Sequence, residues 1–344
     1  MIDYTSLSRI QWLDVARRFY ARLQEELATF TPTDWDRVSP YLGWRNRDLL
    51  AHMASATSVN FREMLDRALA GDPSAPREFY TFSRNAHEVE RRQHIPVAES
   101  LHEFGSGLES ILAVYQGMDD QSWLAPAWFF VGPVNVRTLF LAHLGDNVFH
   151  ERDLLCVTGR WRGLNPEVVG PLVDWFLREV RPSFFRPEKA TGLRATAMFR
   201  LGGAISGEWT MKIDDGRCSV EQGAVPHPDV TIEADTEHLI AAAQARAAPS
   251  IGRIARSADW LRGPSHREDF VAMLTGVWSA FGAILARRLR VSGPLGLAAQ
   301  ITACFWYFWE RSEQTERNIA SGAVDAKAGP VKSSVPDTTT RRLR

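Results

Sequence analysis

Near Leu193 the hydrophobic period of this sequence changes. Upstream, apolar residues recur at helical spacing. Ile10, Leu13, Val15, Phe19, Leu23 and Leu27 mark a first amphipathic helix over residues 6–29. A second helix opens at Asn46 or Arg47 and ends at Gly71 and Pro73, with Leu49, His52, Met53 and Ala56 on its inner face. A third, weakened by Gly105 and Gly107, runs from Val97 to Met118. A fourth, capped by Asn135, continues to Gly159. Four helices with apolar inner stripes predict a bundle, and residues 165–180 predict a fifth helix leading out of it.

Downstream of Leu193 the runs LRATAMFRL, ISGEWTMKI, RCSVEQ and DVTIEA are short and rich in β-formers, and the Asp-Asp-Gly at 214–216 is a hairpin turn. A helix from Asp235 or Thr236, a mostly helical stretch over 251–288, a strand at LRVSG and an apolar helix containing Phe305, Trp306, Phe308 and Trp309 follow. The chain therefore reads as α+β. Its 344 residues suggest two domains: a helical one over 1–160, a connecting helix over 161–184, and a sheet-containing one over 185–309 with a helical insertion at about 249–286. The small, polar, Pro-containing tail at 318–344 is expected to be disordered.

Forty basic against 41 acidic residues leave a formal charge of -1, so no global field draws the chain to nucleic acid. Charges interrupt the start where a signal peptide needs apolar residues, and no later segment offers about eighteen uninterrupted apolar residues. The expectation is a cytoplasmic protein without a membrane span. Cys156, Cys218 and Cys304 are far apart and lack CxxC spacing, as suits reduced thiols.

The fourth helix carries the chemistry. His143, Asp146 and His150 fall at offsets 0, 3 and 7, within about 60° of arc. Residues at i and i+4 have Cβ atoms about 5–6 Å apart, so Asp146 and His150 can reach one ion at about 2 Å. Two ligands do not hold a catalytic metal. His52, on the inner face of the second helix, is the third, giving two imidazoles and a carboxylate with one position open to water or substrate. A hydrogen-bonded core histidine is the alternative at His52, and His143 is either a rival ligand or a partner behind the ligands. Such N and O donors suit zinc and also accept nickel, manganese or iron.

Residues 43–54 (GWRNRDLLAHMA) and 146–153 (DNVFHERD) give residues 1–160 a resemblance to the DinB-like fold, and within it to the mycothiol-dependent maleylpyruvate isomerase family. The resemblance implies a four-helix bundle with zinc on His52, Asp146 and His150; the family more often has Glu where this chain has Asp146. The segment FSRNAHEVERR at 82–92 also resembles a family segment, which makes Asn85 a candidate to face the substrate, beside His143 and Asp153 as supporting residues. GEWTMKIDDGRCSVEQG, DVTIEADTEHLIAAA and RLRVSGPLGLAAQI resemble, in order, a sterol-carrier-protein-like α/β sandwich with an apolar tunnel. The resemblance implies a metal-dependent transferase or cis-trans isomerase that uses a low-molecular-weight thiol, mycothiol, on a small electrophilic substrate. The competing expectation is a non-catalytic protein with a structural or vestigial metal, binding a lipid, sterol or other apolar ligand in its C-terminal domain. Bundles of this kind often pair through their helices, so a homodimer is a further expectation.

Overall fold

Ser8 starts the first helix by a reciprocal cap: its hydroxyl receives the Gln11 N–H, and the Gln11 side chain receives the Ser8 N–H. In the computed structural model, which describes residues 7–39, 44–75, 82–129, 131–203, 205–235 and 289–305, this helix is α1 (Arg9–Ala28). It buries Trp12, Phe19, Leu23 and Leu27 and packs against α6 (Val97–Gly117), whose inner stripe is Phe104, Leu108, Ile111 and Tyr115. Between them in sequence lie α2 (Pro32–Asp36), α3 (Asn46–Ser55), α4 (Arg62–Leu69) and α5 (Phe82–Arg92). After α6 come a short α7 (Asp120–Trp123), a hairpin of β1 (Pro126–Phe129) and β2 (Gly132–Asn135), and α8 (Val136–Thr158).

The expected second helix is not one continuous α-helix. A π-helical segment, Ala56–Phe61, joins α3 to α4. Gly107 of α6 faces this segment, where an added Cβ would lie 3.3 Å from Thr57 Cγ2. The glycine that weakens α6 by propensity thus allows its close approach to the π segment. The polar run at 82–92 is a helix, α5, that packs on α3 and buries Asn85, Glu88 and Val89. Its buried polar side is neutralised internally: Arg92 pairs with both Glu88 and Glu103.

α8 is set at both ends. The Asn135 side chain accepts the Thr138 N–H at 2.9 Å, and Gly159, at φ 73°, ends the helix in the left-handed conformation. It packs against α3, α4 and the π segment.

The expected fifth helix is α9 (Pro166–Trp175), which passes through a second π segment, Phe176–Val180, into α10 (Arg181–Ser183). A five-stranded sheet follows, made of β3 (Arg194–Gly202), β4 (Gly207–Asp214), β5 (Arg217–Gln222), β6 (Val230–Asp235) and β7 (Leu289–Ser292), in the order β5-β4-β3-β6-β7. Only the β3–β6 pair is parallel. The turn between β4 and β5 has positive φ at Asp215 (45°) and Gly216 (80°), the twist a two-residue hairpin needs. The second π segment and α10 lie against β5, and the buried Trp209 indole of β4 donates to Asp174 of α9 at 2.9 Å. The last described helix, α11 (Leu295–Ala303), buries Ile301 and leads into buried Cys304 and Phe305.

The expected helix after Thr236, the insertion at 249–286, Trp306 to Trp309 and the tail at 318–344 lie outside the described residues. No helix among the described residues is long and apolar enough to cross a membrane.

Candidate metal centre

α3 starts where Asp48 accepts the Arg45 N–H at 2.9 Å, and that start fixes the rotation of the turn carrying His52. His52 is completely buried, its ring 5.7 Å from the Trp44 ring. From α8, Asp146 and His150 come from adjacent turns on one face, as their spacing predicts. One ligand atom from each of His52, Asp146 and His150 lies within 4.8 Å of the others. Two distances are closer: His150 Nε2 to Asp146 Oδ1 is 3.4 Å, and His52 Nε2 to Asp146 Oδ2 is 3.8 Å. The two imidazole rings stand edge-to-face with centroids 4.9 Å apart.

Donors around a tetrahedral ion at about 2.0–2.1 Å stand about 3.3 Å from one another. The two separations from Asp146 lie within about 0.5 Å of this value and no separation in the set exceeds 4.8 Å, so a divalent ion fits after a modest closure of the three side chains. The shorter arm of Asp146 is long enough for both neighbours. Its Oδ2 is buried and accepts no hydrogen bond among the described residues, which leaves a lone pair directed into the group. Asp146 is also the most exposed of the three, its side chain 25% accessible against 1% and 3% for His52 and His150, so the group meets solvent on the carboxylate side.

Electrostatics divide the three groups. Burial lowers the pKa of His52 to about 3, and the charge of nearby His150 adds to the effect. Burial also disfavours a charged His150, but Asp146 and Asp153 outweigh it and raise this imidazole to about 10. Burial acts against the Asp146 carboxylate as well, yet His150 and, more weakly, His52 hold it below the ordinary range. Without metal, then, the centre at neutral pH is a neutral imidazole, a carboxylate and an imidazolium.

Behind His150, Asp153 Oδ2 lies 3.7 Å from Nδ1, and Asp153 Oδ1 accepts from Arg152 at 2.8 Å. All three side chains are buried. His143 turns away from the group: its Nε2 is 2.8 Å from Thr57 Oγ1 on the π segment, its ring packs on Phe61 at 4.7 Å, and burial lowers it to about 4. Asn85 is buried on α5, with its Oδ1 3.5 Å from Asn60 Nδ2. Arg152, Thr57 and Asn60 were not evident in the sequence. Arg152 reads as one more surface charge, and the π turn that directs Thr57 and Asn60 inward leaves no trace in the hydrophobic period.

Residues 16–155 match the family model described as mycothiol maleylpyruvate isomerase N-terminal domain. The match covers the N-terminal helical region of the chain up to the last turn of α8. All three donors lie inside the matched residues. No curated protein matches the chain. Among solved structures, that of the mycothiol-dependent maleylpyruvate isomerase is similar with a TM-score of 0.48 at 13% identity, covering 72% of this chain and 92% of that chain. A histidine-to-alanine mutant of the isomerase gives 0.47 at 11%, with the same coverage. A structure described as UbiJ-SCP2, a ubiquinone synthesis protein, gives 0.24 at 13%, covering 43% of this chain and 93% of that chain.

Proposed function

We propose that this protein is a metal-dependent enzyme that uses a low-molecular-weight thiol of the mycothiol type to isomerise a small electrophile or to transfer the thiol to it. The observation that carries the reading is the convergence of His52, Asp146 and His150 within 4.8 Å, inside the region that matches the isomerase domain family.

In this reading His52, Asp146 and His150 hold the ion, zinc being the metal this donor set suits well. A bound divalent metal with an open position would keep the cosubstrate thiol as thiolate at neutral pH. The protein's own residues do the rest. Arg152 orients Asp153, and Asp153 orients the His150 ring so that Nε2 faces Asp146, the role a carboxylate plays behind a metal-bound histidine. Burial keeps His52 neutral and its lone pair available. The partial exposure of Asp146 gives thiol and electrophile a common side of approach. The reaction class is addition of the thiol sulfur to an activated double bond. If the thiol departs after rotation about the resulting single bond, the outcome is isomerisation; if the adduct is kept, it is thiol transfer.

The test incubates the zinc-reconstituted protein with mycothiol and maleylpyruvate, and separately with a panel of activated alkenes, following isomer and adduct by NMR. Product that requires both thiol and metal and vanishes in His150→Ala supports the reading. No metal-dependent isomer or adduct across the panel would leave the apolar-ligand carrier as the better account.

A further inference from the structure

α5 is held on the bundle differently from α1 and α6, which bury stripes such as Phe19, Leu23 and Leu27 or Phe104, Leu108 and Ile111. Among the described side chains of α5, Val89 is the only apolar one buried, and the others turned inward are Asn85 and Glu88. Charges take the place of aliphatic contact. At the start of the helix Arg84 Nη2 meets Glu63 Oε2 of α4 at 3.0 Å. At its end Arg92 pairs with Glu103 of α6 at 3.0 Å, and the same carboxylate accepts from Ser58 Oγ of the π segment at 2.9 Å. Between these two points Asn60 Nδ2 reaches Asn85 Oδ1 only at 3.5 Å, and the buried Asn60 Oδ1 accepts no hydrogen bond among the described residues.

Little free energy opposes the opening of such an interface. Apolar burial stabilises in proportion to the area removed from water, and α5 contributes little of it. The charges on the bundle side are partly in water already, Glu63 with 38% and Glu103 with 29% of its side chain accessible. Burial disfavours charge on Glu103, but Arg92 and Ser58 outweigh it and hold the carboxyl below its ordinary range, so the pair is ionised at neutral pH. When the helix leaves, Arg84, Glu63, Arg92 and Glu103 recover their hydration, which offsets much of the attraction they lose. Asn60 and Asn85 gain water as a partner, and the Glu88–Arg92 pair lies within α5 and travels with it. Residues 93–96 form the turn into α6, with Pro96 immediately before that helix, and supply the hinge.

We infer that α5 is a hinged flap, latched by charge pairs at Glu63 and Glu103, that opens about residues 93–96 while the rest of the helical part stays folded. Few buried apolar contacts mark the segments of a protein that open locally. The surface it bares is the side of α3 on which it packs, together with Asn60 of the π segment. α3 carries His52, so the movement occurs on a helix of the metal centre. None of the metal donors takes part in the latch, and the flap stands or falls independently of the thiol chemistry.

Hydrogen exchange read by mass spectrometry on the full-length protein follows the opening, because a released helix of 11 residues does not keep its hydrogen bonds in water. Corrected for intrinsic rates, peptides covering 84–92 are expected to exchange at least about tenfold faster than those covering 104–115 of α6. Glu63→Gln and Glu103→Gln should each speed α5 by a further factor of about ten and leave α1, α6 and α8 unchanged. Raising NaCl from about 0.1 M to about 1 M should speed α5 in the native chain as well. Equal exchange of α5 and α6 would mean that α5 opens only with the bundle. An α5 rate that neither substitution moves would mean that the charges are no latch, and acceleration spread over α1 and α8 would mean that they support the bundle at large. Each of these results overturns the inference. If a variant does not fold, the native contrast between α5 and α6 and its salt dependence decide the matter.

Discussion

Metal uptake by this centre should be a competition with one proton, and the pH at which the competition ends distinguishes this site from an ordinary histidine site. In the metal-free protein His150 holds its proton up to about pH 10, whereas His52, at about 3, holds none that matters. Ligation requires both imidazoles to be neutral. At pH 7 the cost is therefore the three pH units between 7 and 10, an apparent affinity lowered about a thousandfold from its limit. From pH 6 to pH 9 the apparent affinity should rise about tenfold per unit. A histidine at its ordinary value of about 6.5 would give only about fourfold over the whole range. The folding linkage of the metal-free protein has the opposite sign. The folded value lies above the unfolded 6.5, so the ion pairs of His150 contribute fully below pH 6.5 and are lost as pH rises through 10. Zinc competition against a chromophoric chelator, corrected for the chelator's own protonation, measures the slope. Calorimetry in buffers of different ionisation enthalpy should give about one proton released per zinc bound near pH 7.5. An affinity that levels off above pH 7, or binding without proton release, would refute the assignment of the proton to His150.

Three substitutions follow from the hydrogen bonds around the centre and the sheet. Asp153→Asn should keep the contact with Arg152 but orient His150 less well, weakening zinc binding roughly 10–100-fold in the same competition assay. Thr57→Val leaves the buried His143 ring without its 2.8 Å partner and should cost roughly 1–3 kcal/mol in urea unfolding. Asp174→Ala removes the acceptor of the buried Trp209 indole and should destabilise by roughly 1–3 kcal/mol from that orphaned N–H alone, whereas Asp174→Asn, which keeps an acceptor, should cost less.

What the sequence revealed of this protein follows what its period can encode. The span of α8 was legible because a capping Asn, an unbroken helical run and a left-handed Gly are all local signals. Strands β3, β4 and β5 were legible because alternation and an Asp-Gly turn are local too. The parallel pairing of β3 with β6 is set by tertiary packing and has no local signature. The β1–β2 hairpin is too short for alternation to register, with four residues in each strand. α5 was hidden by composition, because much of its buried side is made of Asn85 and Glu88 rather than aliphatic residues. At the centre, spacing brought Asp146 and His150 together, and the family resemblance supported His52 as their partner. The same spacing put His143 on the correct face of α8 without showing that it meets Thr57 instead of the other donors.

That last contact bears on how a site split between two helices keeps its geometry. His52 must meet Asp146 and His150 across the α3–α8 interface, and one pair of facing residues leaves the helices free to rotate or slide. On a regular α-helix Thr57, five residues after His52, would point about 140° away from it. Thr57, the second residue of the π segment that starts at Ala56, is nonetheless buried, and its hydroxyl meets His143, one turn before Asp146 on α8. Thr57–His143 thus joins α8 to the segment that continues the His52 helix, and a metal held by the three candidate donors would add a second point of attachment, which fixes a rotation that one leaves open. The Asn60–Asn85 contact extends the same row of buried polar groups to α5. The brace lies one turn along α8 from Asp146, whose short carboxylate arm stands between both imidazoles, so a slip of the two helices would break the brace and the carboxylate contacts together.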